Sequence, residues 1–468
     1  MRIPIIALRD LAGMVLSLCL VCAPLAASGR SAPQPGPAPA VSLPAKVDYE
    51  LPNGLKVTLV PFGTVPKTTI VVAVSTGAIA EGTRPGLASM AAELMKQGVG
   101  GGDASQLFRR AADLGGAVGI TAGHASFSIG IDVLSEHGSE ALDLLAQIIR
   151  HPTLPAQELP RLKADAKRAL AISRSQQQSI AAHALSHRLF GSDPRGHQLE
   201  DHEVDAITVQ DIRTFIDQEF AAGRTRIYLS GRFDKEAIER AIAKAFGDWN
   251  HGPPPVRDSV KLTASGSVQL IDRPGAKQST ILMGLPVRSI RSTGFDDVSM
   301  ANAMLGGSGL MSRLDRNLRE DKGWTYGVST RLEPIADQSL WLLSVDVNTP
   351  DTADAMREIF REMRRLAEQS SDPAEITRVR NYRAGHFLMG ASSREGLIGQ
   401  LSFVDQYDLG PEWLTGYLQR LQAVTAEGVR QAAGDFDPSR MTVVVAGDLS
   451  RIKSAIEGLE ALKGADFH

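Results

Sequence analysis

Thiols are almost absent from this chain. Its two cysteines, Cys19 and Cys22, both sit close to the amino terminus, so the remainder has no disulfide framework and no thiolate-ligated metal site, and packing alone must stabilise it. Aromatic residues make up only 5% of the sequence and the formal net charge is −3. No basic block interleaved with aromatics occurs, which excludes a nucleic-acid-binding surface of the usual kind. The one long apolar run, Leu11 to Leu25, is shorter than the ~20 residues a membrane-spanning helix needs. Preceded by Arg2 and Arg9 and followed by Ala26, Ala27 and Ser28, it reads as a secretory signal over residues 1–27. A large residue, Val21, precedes Cys22 where lipid attachment would call for a small one.

What is present is a duplication. After a Pro- and Ala-rich tether over residues 28–44, the chain divides into residues 45–250 and 263–468, joined by a linker over residues 251–262. That linker contains Pro253, Pro254 and Pro255, which cannot continue a helix or a central strand. Arg224 to Gly231, an apolar strand followed by a helix through Ile238, Ile242 and Phe246, recurs as Arg440 to Gly447 followed by Ile452, Ile456 and Leu459. Thr208 pairs with Thr425 and Pro155 with Pro373. The separations of the strand, threonine and proline pairs stay between 216 and 218 residues, and a near-constant period of that length predicts two copies of one domain.

Within a copy the strand signals come first. Asn53-Gly54 predicts a hairpin turn between Tyr49–Leu51 and Leu55–Val60, and Thr69–Val74 is an apolar strand. Phe127, Ile129, Ile131 and Val133 alternate with polar or small residues, as in a strand with one buried face. Helices are expected over 136–150, 156–173, 208–220 and 234–246. Strands followed by a block of helices predict an α+β fold: two homologous αβ domains, each with an antiparallel-rich sheet.

The most informative stretch is Leu318-Arg319-Glu320-Asp321-Lys322-Gly323-Trp324-Thr325-Tyr326, preceded by Gly306-Gly307-Ser308-Gly309 and Ser312-Arg313-Leu314. It resembles the signature in the C-terminal half of pitrilysin-type (M16) zinc peptidases, where an arginine and a tyrosine seven residues apart act on the bound peptide; Arg319 and Tyr326 keep that spacing. The resemblance implies an inverted zinc motif, His-x-x-Glu-His, on a helix in the N-terminal half after a Gly-Leu-Ala approach. Here the approach, Gly86-Leu87-Ala88, leads into Ser89-Met90-Ala91-Ala92-Glu93. Ser89 and Glu93 stand where the histidines would be, and Ala92 replaces the glutamate. A hydrolytic zinc needs three protein ligands, an open position and a nearby base, so no cofactor is expected in this chain.

The resemblance further implies a half-clamshell of two domains that closes with a second M16 chain. On this reading the partner carries an intact His-x-x-Glu-His and the zinc, the substrates are unfolded peptides, and the site is bacterial and periplasmic. Arg319 and Tyr326 would then be catalytic and substrate-binding, stabilising charge on the scissile carbonyl, with Gly306 and Gly307 beside the peptide. The alternative is a structural or peptide-holding subunit, similar to respiratory-complex core proteins, with Arg319 and Tyr326 as remnants. A rival metal signal lies at His183 and His187, which would share one helical face; His197, Glu200, Asp201 and His202 lie downstream. No glutamate lies between that pair. Gly306 to Gly309 lacks a following Gly-Lys-Ser/Thr and is expected to be a bend that starts a helix over 310–318, and Asp103 is expected to cap the helix after the Gly98–Gly102 turn.

Overall fold

The computed structural model describes residues 43–263 and 266–468. The expected signal, most of the tether and both cysteines lie outside the described residues. Two six-stranded sheets organise the rest. The first contains β1 (Val47–Glu50), β2 (Lys56–Pro61), β3 (Lys67–Val74), β4 (Gly119–Ala122), β5 (Phe127–Leu134) and β6 (Thr225–Gly231), in the order β1-β2-β6-β3-β5-β4. The second contains β7 (Ser267–Asp272), β8 (Gln278–Val287), β9 (Thr325–Ile335), β10 (Gln338–Asn348), β11 (Thr442–Gly447) and β12 (Asp466–Phe467), in the order β12-β7-β11-β8-β10-β9. Most pairings are antiparallel; β2 with β6, and β7 with both β11 and β12, are parallel. The fold is α+β with two homologous layered halves.

The local reasons are those the sequence predicts. Gly54 turns the first hairpin at φ +86°, and the Asn53 side chain donates to the carbonyls of Phe246 and Trp249 at 2.7 and 3.0 Å. Phe127, Ile129, Ile131 and Val133 are buried while the residues between them are partly exposed. Thr208 and Thr425 cap equivalent helices through Asp211 N and Gly428 N, and Asp103 accepts from Gln106 N at 2.8 Å. Helices Gly138–Arg150, Leu159–Ser175, Val209–Glu219 and Lys235–Phe246 occupy the expected windows to within three residues.

Each sheet buries one face under helices of its own half. The other face is covered from the opposite half, by an exchange that periodicity alone does not reveal. Helix Gln177–Phe190 lays Ala181, Leu185 and Leu189 on Leu282, Leu340, Leu342, Val444 and Ala446 of the second sheet. Helix Arg394–Gln406 lays Leu397, Ile398, Leu401 and Val404 on Val60, Val71 and Tyr228 of the first. Polar anchors repeat the symmetry. Asp132 on β5 accepts from Thr69 and from Arg394 at 2.7 and 3.0 Å, and Asp346 on β10 accepts from Thr280 and Gln178 at 2.6 and 2.9 Å. Burial alone would raise the Asp132 pKa, but hydrogen bonds from Lys67, Thr69 and Arg394 outweigh it and hold the carboxyl below its usual value. Asp405 ties the same helix to Tyr228 Oη at 2.7 Å and to Arg226 at 3.1 Å. Among the described residues no helix is long and apolar enough to cross a membrane.

Candidate functional site

The helix carrying Ser89, Ala92 and Glu93 runs from Leu87 to Met95. Gly86 precedes it at φ +82°, and a Cβ there would meet Leu199 Cδ2 at 3.0 Å. The first amides are satisfied by Glu81, whose carboxylate accepts from Gly86 N and Ala88 N at 2.9 and 2.8 Å. This is a cap five residues upstream that no short motif predicts. Burial raises the Glu81 pKa despite those two donors. Leu87, Ala88, Met90, Ala91, Ala92, Leu94 and Met95 are all buried, leaving Ser89 and Glu93 on one exposed stripe. The stripe has the i, i+4 geometry of a paired ligand site, but its chemistry does not suit zinc. Ser89 offers a neutral hydroxyl, Glu93 is bonded to Lys96 at 2.6 Å, and at Ala92, 3% exposed, a methyl group stands where a base would have to accept a proton.

The histidine cluster does not converge either. His183 and His187 rings are 6.3 Å apart, but His187 Nδ1 lies 3.2 Å from the Gly196 carbonyl and His197 Nε2 lies 2.9 Å from Glu203. Burial lowers the His183 pKa, and the neighbouring His187 and His197 lower it further. Among the described residues no group of three or more His, Cys, Asp or Glu side chains is placed to hold a metal ion.

Arg319 and Tyr326 come together. The segment expected as one helix over 310–318 is instead a 3₁₀ turn at Gly309–Met311 followed by a π-helical stretch, Asp315–Asp321. A second π-helical stretch, Ala303–Gly307, ends at the glycine bend. π-Helical turns are rare and recur at functional sites. Here the wider turn seats Leu314 and Leu318, both fully buried, while Arg319 remains half-buried at the rim. The chain then reverses at Gly323, φ +65°, with Gly323 N bonded to Arg319 O at 3.1 Å and Trp324 N to Leu318 O at 2.9 Å, and enters β9. Asp315, 2% exposed, fixes the turn to the strand: it accepts from Ser312 Oγ at 3.0 Å and from Val328 N at 3.1 Å.

The result is a guanidinium 4.8 Å from the centre of the Tyr326 ring. Tyr326 is 88% exposed, on the edge strand of its sheet. Two nearby cations are paired with carboxylates, Arg313 in a bidentate pair with Glu375 at 2.8 and 2.7 Å and Lys322 with Glu358 at 3.7 Å. Among the described residues the Arg319 guanidinium has no hydrogen bond or ion pair, so its donors face solvent beside a phenol hydroxyl in the same condition. Gly306 and Gly307 do not form an open loop. A Cβ on Gly306 would lie 2.6 Å from Thr330 Cγ2, and one on Gly307 2.6 Å from Asn302 Nδ2; the glycines let the bend lie directly against β9, and Asn302 in turn accepts from the buried Trp341 indole at 2.9 Å.

Comparison with known sequences and structures agrees with this architecture. A profile described as insulinase, peptidase family M16, matches residues 59–203, and one described as the peptidase M16 inactive domain matches residues 206–382. An uncharacterized zinc protease of Streptomyces coelicolor is 23% identical over 286 residues, 58% of this chain and 62% of that protein. One from Rickettsia bellii is 20% identical over 73% of this chain and 83% of its own length. Among solved structures, a peptidase M16 inactive domain from Pseudomonas fluorescens superposes with a TM-score of 0.78 at 23% identity, covering 86% of this chain and 98% of its own. The periplasmic protease PqqL of Escherichia coli superposes with a TM-score of 0.72 at 17% identity, over 94% of this chain and 51% of its own. With both halves matched in sequence and in three-dimensional arrangement, the chain belongs to the M16 peptidase family.

Proposed function

We propose that this chain is the zinc-free subunit of an exported, heterodimeric M16 peptidase. A second M16 chain with an intact His-x-x-Glu-His carries the metal site, and this chain contributes Arg319 and Tyr326 to the peptide bound there. The observation that carries the reading is the Arg319–Tyr326 pair: two donors, stacked at 4.8 Å, Tyr326 exposed and Arg319 half-buried, and engaged by no competing side chain. A structural arginine would be expected to cap a helix or neutralise a carboxylate, as Arg313 does.

Peptide hydrolysis places negative charge on the scissile carbonyl oxygen, and donors fixed at that point favour the transition state over the substrate. The stack limits the rotamers of both side chains before a peptide arrives, which reduces the ordering cost at binding. An extended peptide would pair along an exposed sheet edge and be chosen for being unfolded more than for a side-chain motif. Residues 1–27, read as a signal, support export to the periplasm.

The test is reconstitution. This chain alone should not cleave peptides, and a zinc-bearing M16 chain should gain activity on mixing. Arg319→Ala and Tyr326→Phe should each lower kcat of the mixture by about 10²–10³, the range for a single transition-state donor. Unchanged turnover in both variants would instead support a peptide-holding or structural subunit.

A further inference from the structure

Gly307 of the bend also borders an open cavity of about 610 Å³ in the C-terminal half, within the roughly 300–1,000 Å³ typical of ligand sites. Its wall is aromatic. Phe387 and Tyr417 rings lie 4.6 Å apart, Trp413 and Tyr417 6.1 Å, and Phe403 and Trp413 5.6 Å; Tyr417 is itself buried, while Phe387, Phe403 and Trp413 are partly exposed.

Two polar groups in the wall are left wanting partners. Arg383 donates from Nε and Nη2 to Tyr417 Oη at 3.2 and 3.0 Å and from Nη1 to the Ser299 carbonyl. That leaves two of its five N–H donors uncommitted, and among the described residues no carboxylate pairs with it. Gln400 turns its amide nitrogen to the Phe387 carbonyl at 2.9 Å, which fixes the direction of the amide; its Oε1 is buried with no hydrogen-bond partner. An unsatisfied buried acceptor costs about 1–3 kcal/mol.

We propose that this cavity receives the carboxyl-terminal residue of a peptide bearing a bulky apolar side chain. The inference rests on the reading of this chain as a peptide-handling subunit. The terminal residue of a peptide attaches two complementary groups to one Cα: a carboxylate for Arg383 and a side chain for the aromatic wall. An internal acidic residue lacks the apolar group, and an internal aromatic one lacks the carboxylate. A free amino acid would bring an ammonium toward the Arg383 cation, whereas the peptide amide is neutral.

Gly399 gives a clean variant. It sits in helix Arg394–Gln406 on the cavity wall, and a Cβ there meets nothing within 4 Å, so the side chain of Gly399→Phe starts into open space. Calorimetric titration of the intact chain, with no partner present, should show a peptide ending in phenylalanine binding through its free carboxyl. The C-terminally amidated peptide and free phenylalanine should bind at least tenfold more weakly. Gly399→Phe should abolish binding. Equal binding of acid and amide, equal binding of free phenylalanine, no binding of any ligand, or no effect of Gly399→Phe would each overturn the proposal. Because no turnover is read, failure here leaves the Arg319 and Tyr326 assay to stand or fall separately.

Discussion

At the scale of single residues, the site consists of groups that have no structural employment. Tyr326 is exposed and its ring stacks on the Arg319 guanidinium, so Tyr326→Ala should shift stability by no more than about 0.5 kcal/mol, as for other surface changes, while removing most of the activity of a reconstituted pair. A melting curve recorded beside the rate measurement checks both parts. His124 is the opposite case. Both its ring nitrogens are buried without hydrogen-bond partners, and although Nε2 lies 3.9 Å from Asp258, that carboxylate is already bonded to Arg195 at 2.7 and 2.9 Å. Burial, then the Arg195 charge, lower the His124 pKa below 6.5, so the folded state keeps a neutral ring. The unfolded chain therefore takes up this proton first as pH falls. The contribution of His124 is intact above about pH 6.5 and is lost as pH drops through that value toward its lowered folded pKa. The expected result is a smaller loss of Tm between pH 7.5 and 5.5 in His124→Gln than in the unaltered chain, measured by calorimetry.

At the scale of elements, the sequence disclosed the repeating units and left their wrapping hidden. Asn53-Gly54, the alternation from Phe127 to Val133 and the caps at Asp103, Thr208 and Thr425 are local signals, because each depends on neighbours within a few residues. The Arg319/Tyr326 spacing was legible for the same reason: a turn at Gly323 joins the two. The π-helical turns were not legible, since their register is imposed by Leu314 and Leu318 packing into the core and by the buried Asp315 reaching Val328 N. Nor was the crossing of Gln177–Phe190 onto the second sheet, because Leu185 and Leu189 carry the same pattern whichever sheet they cover. Gly284 on β8 records that crossing: a Cβ there would stand 2.6 Å from Leu189 Cδ1. Gly284→Val should cost about 1–3 kcal/mol through overpacking, and Leu189→Ala about 2–5 kcal/mol through the cavity it leaves, both readable as denaturation midpoints.

At the scale of the whole molecule, the exchanged helices make the two halves one folding unit. The first sheet needs Leu397, Ile398, Leu401 and Val404 to cover its second face, and the second needs Ala181, Leu185 and Leu189. Residues 45–250 produced alone should therefore expose an apolar sheet face and aggregate, whereas coexpression with 263–468 should recover a soluble complex; gel filtration of the two preparations distinguishes them. The same rigidity serves the site, since β9 and the turn before it are held by a core that does not depend on a bound peptide. The helix from Leu87 to Met95, by contrast, buries all of its residues except Ser89 and Glu93, which form its exposed stripe.

The most direct measurement is kcat for peptide cleavage by this chain mixed with a zinc-bearing M16 chain, compared between Tyr326 and Tyr326→Phe at matched melting temperature. A fall of about 10²–10³ is predicted for loss of one donor to the developing oxyanion. Equal kcat in the two mixtures, with complex formation intact, would contradict the account.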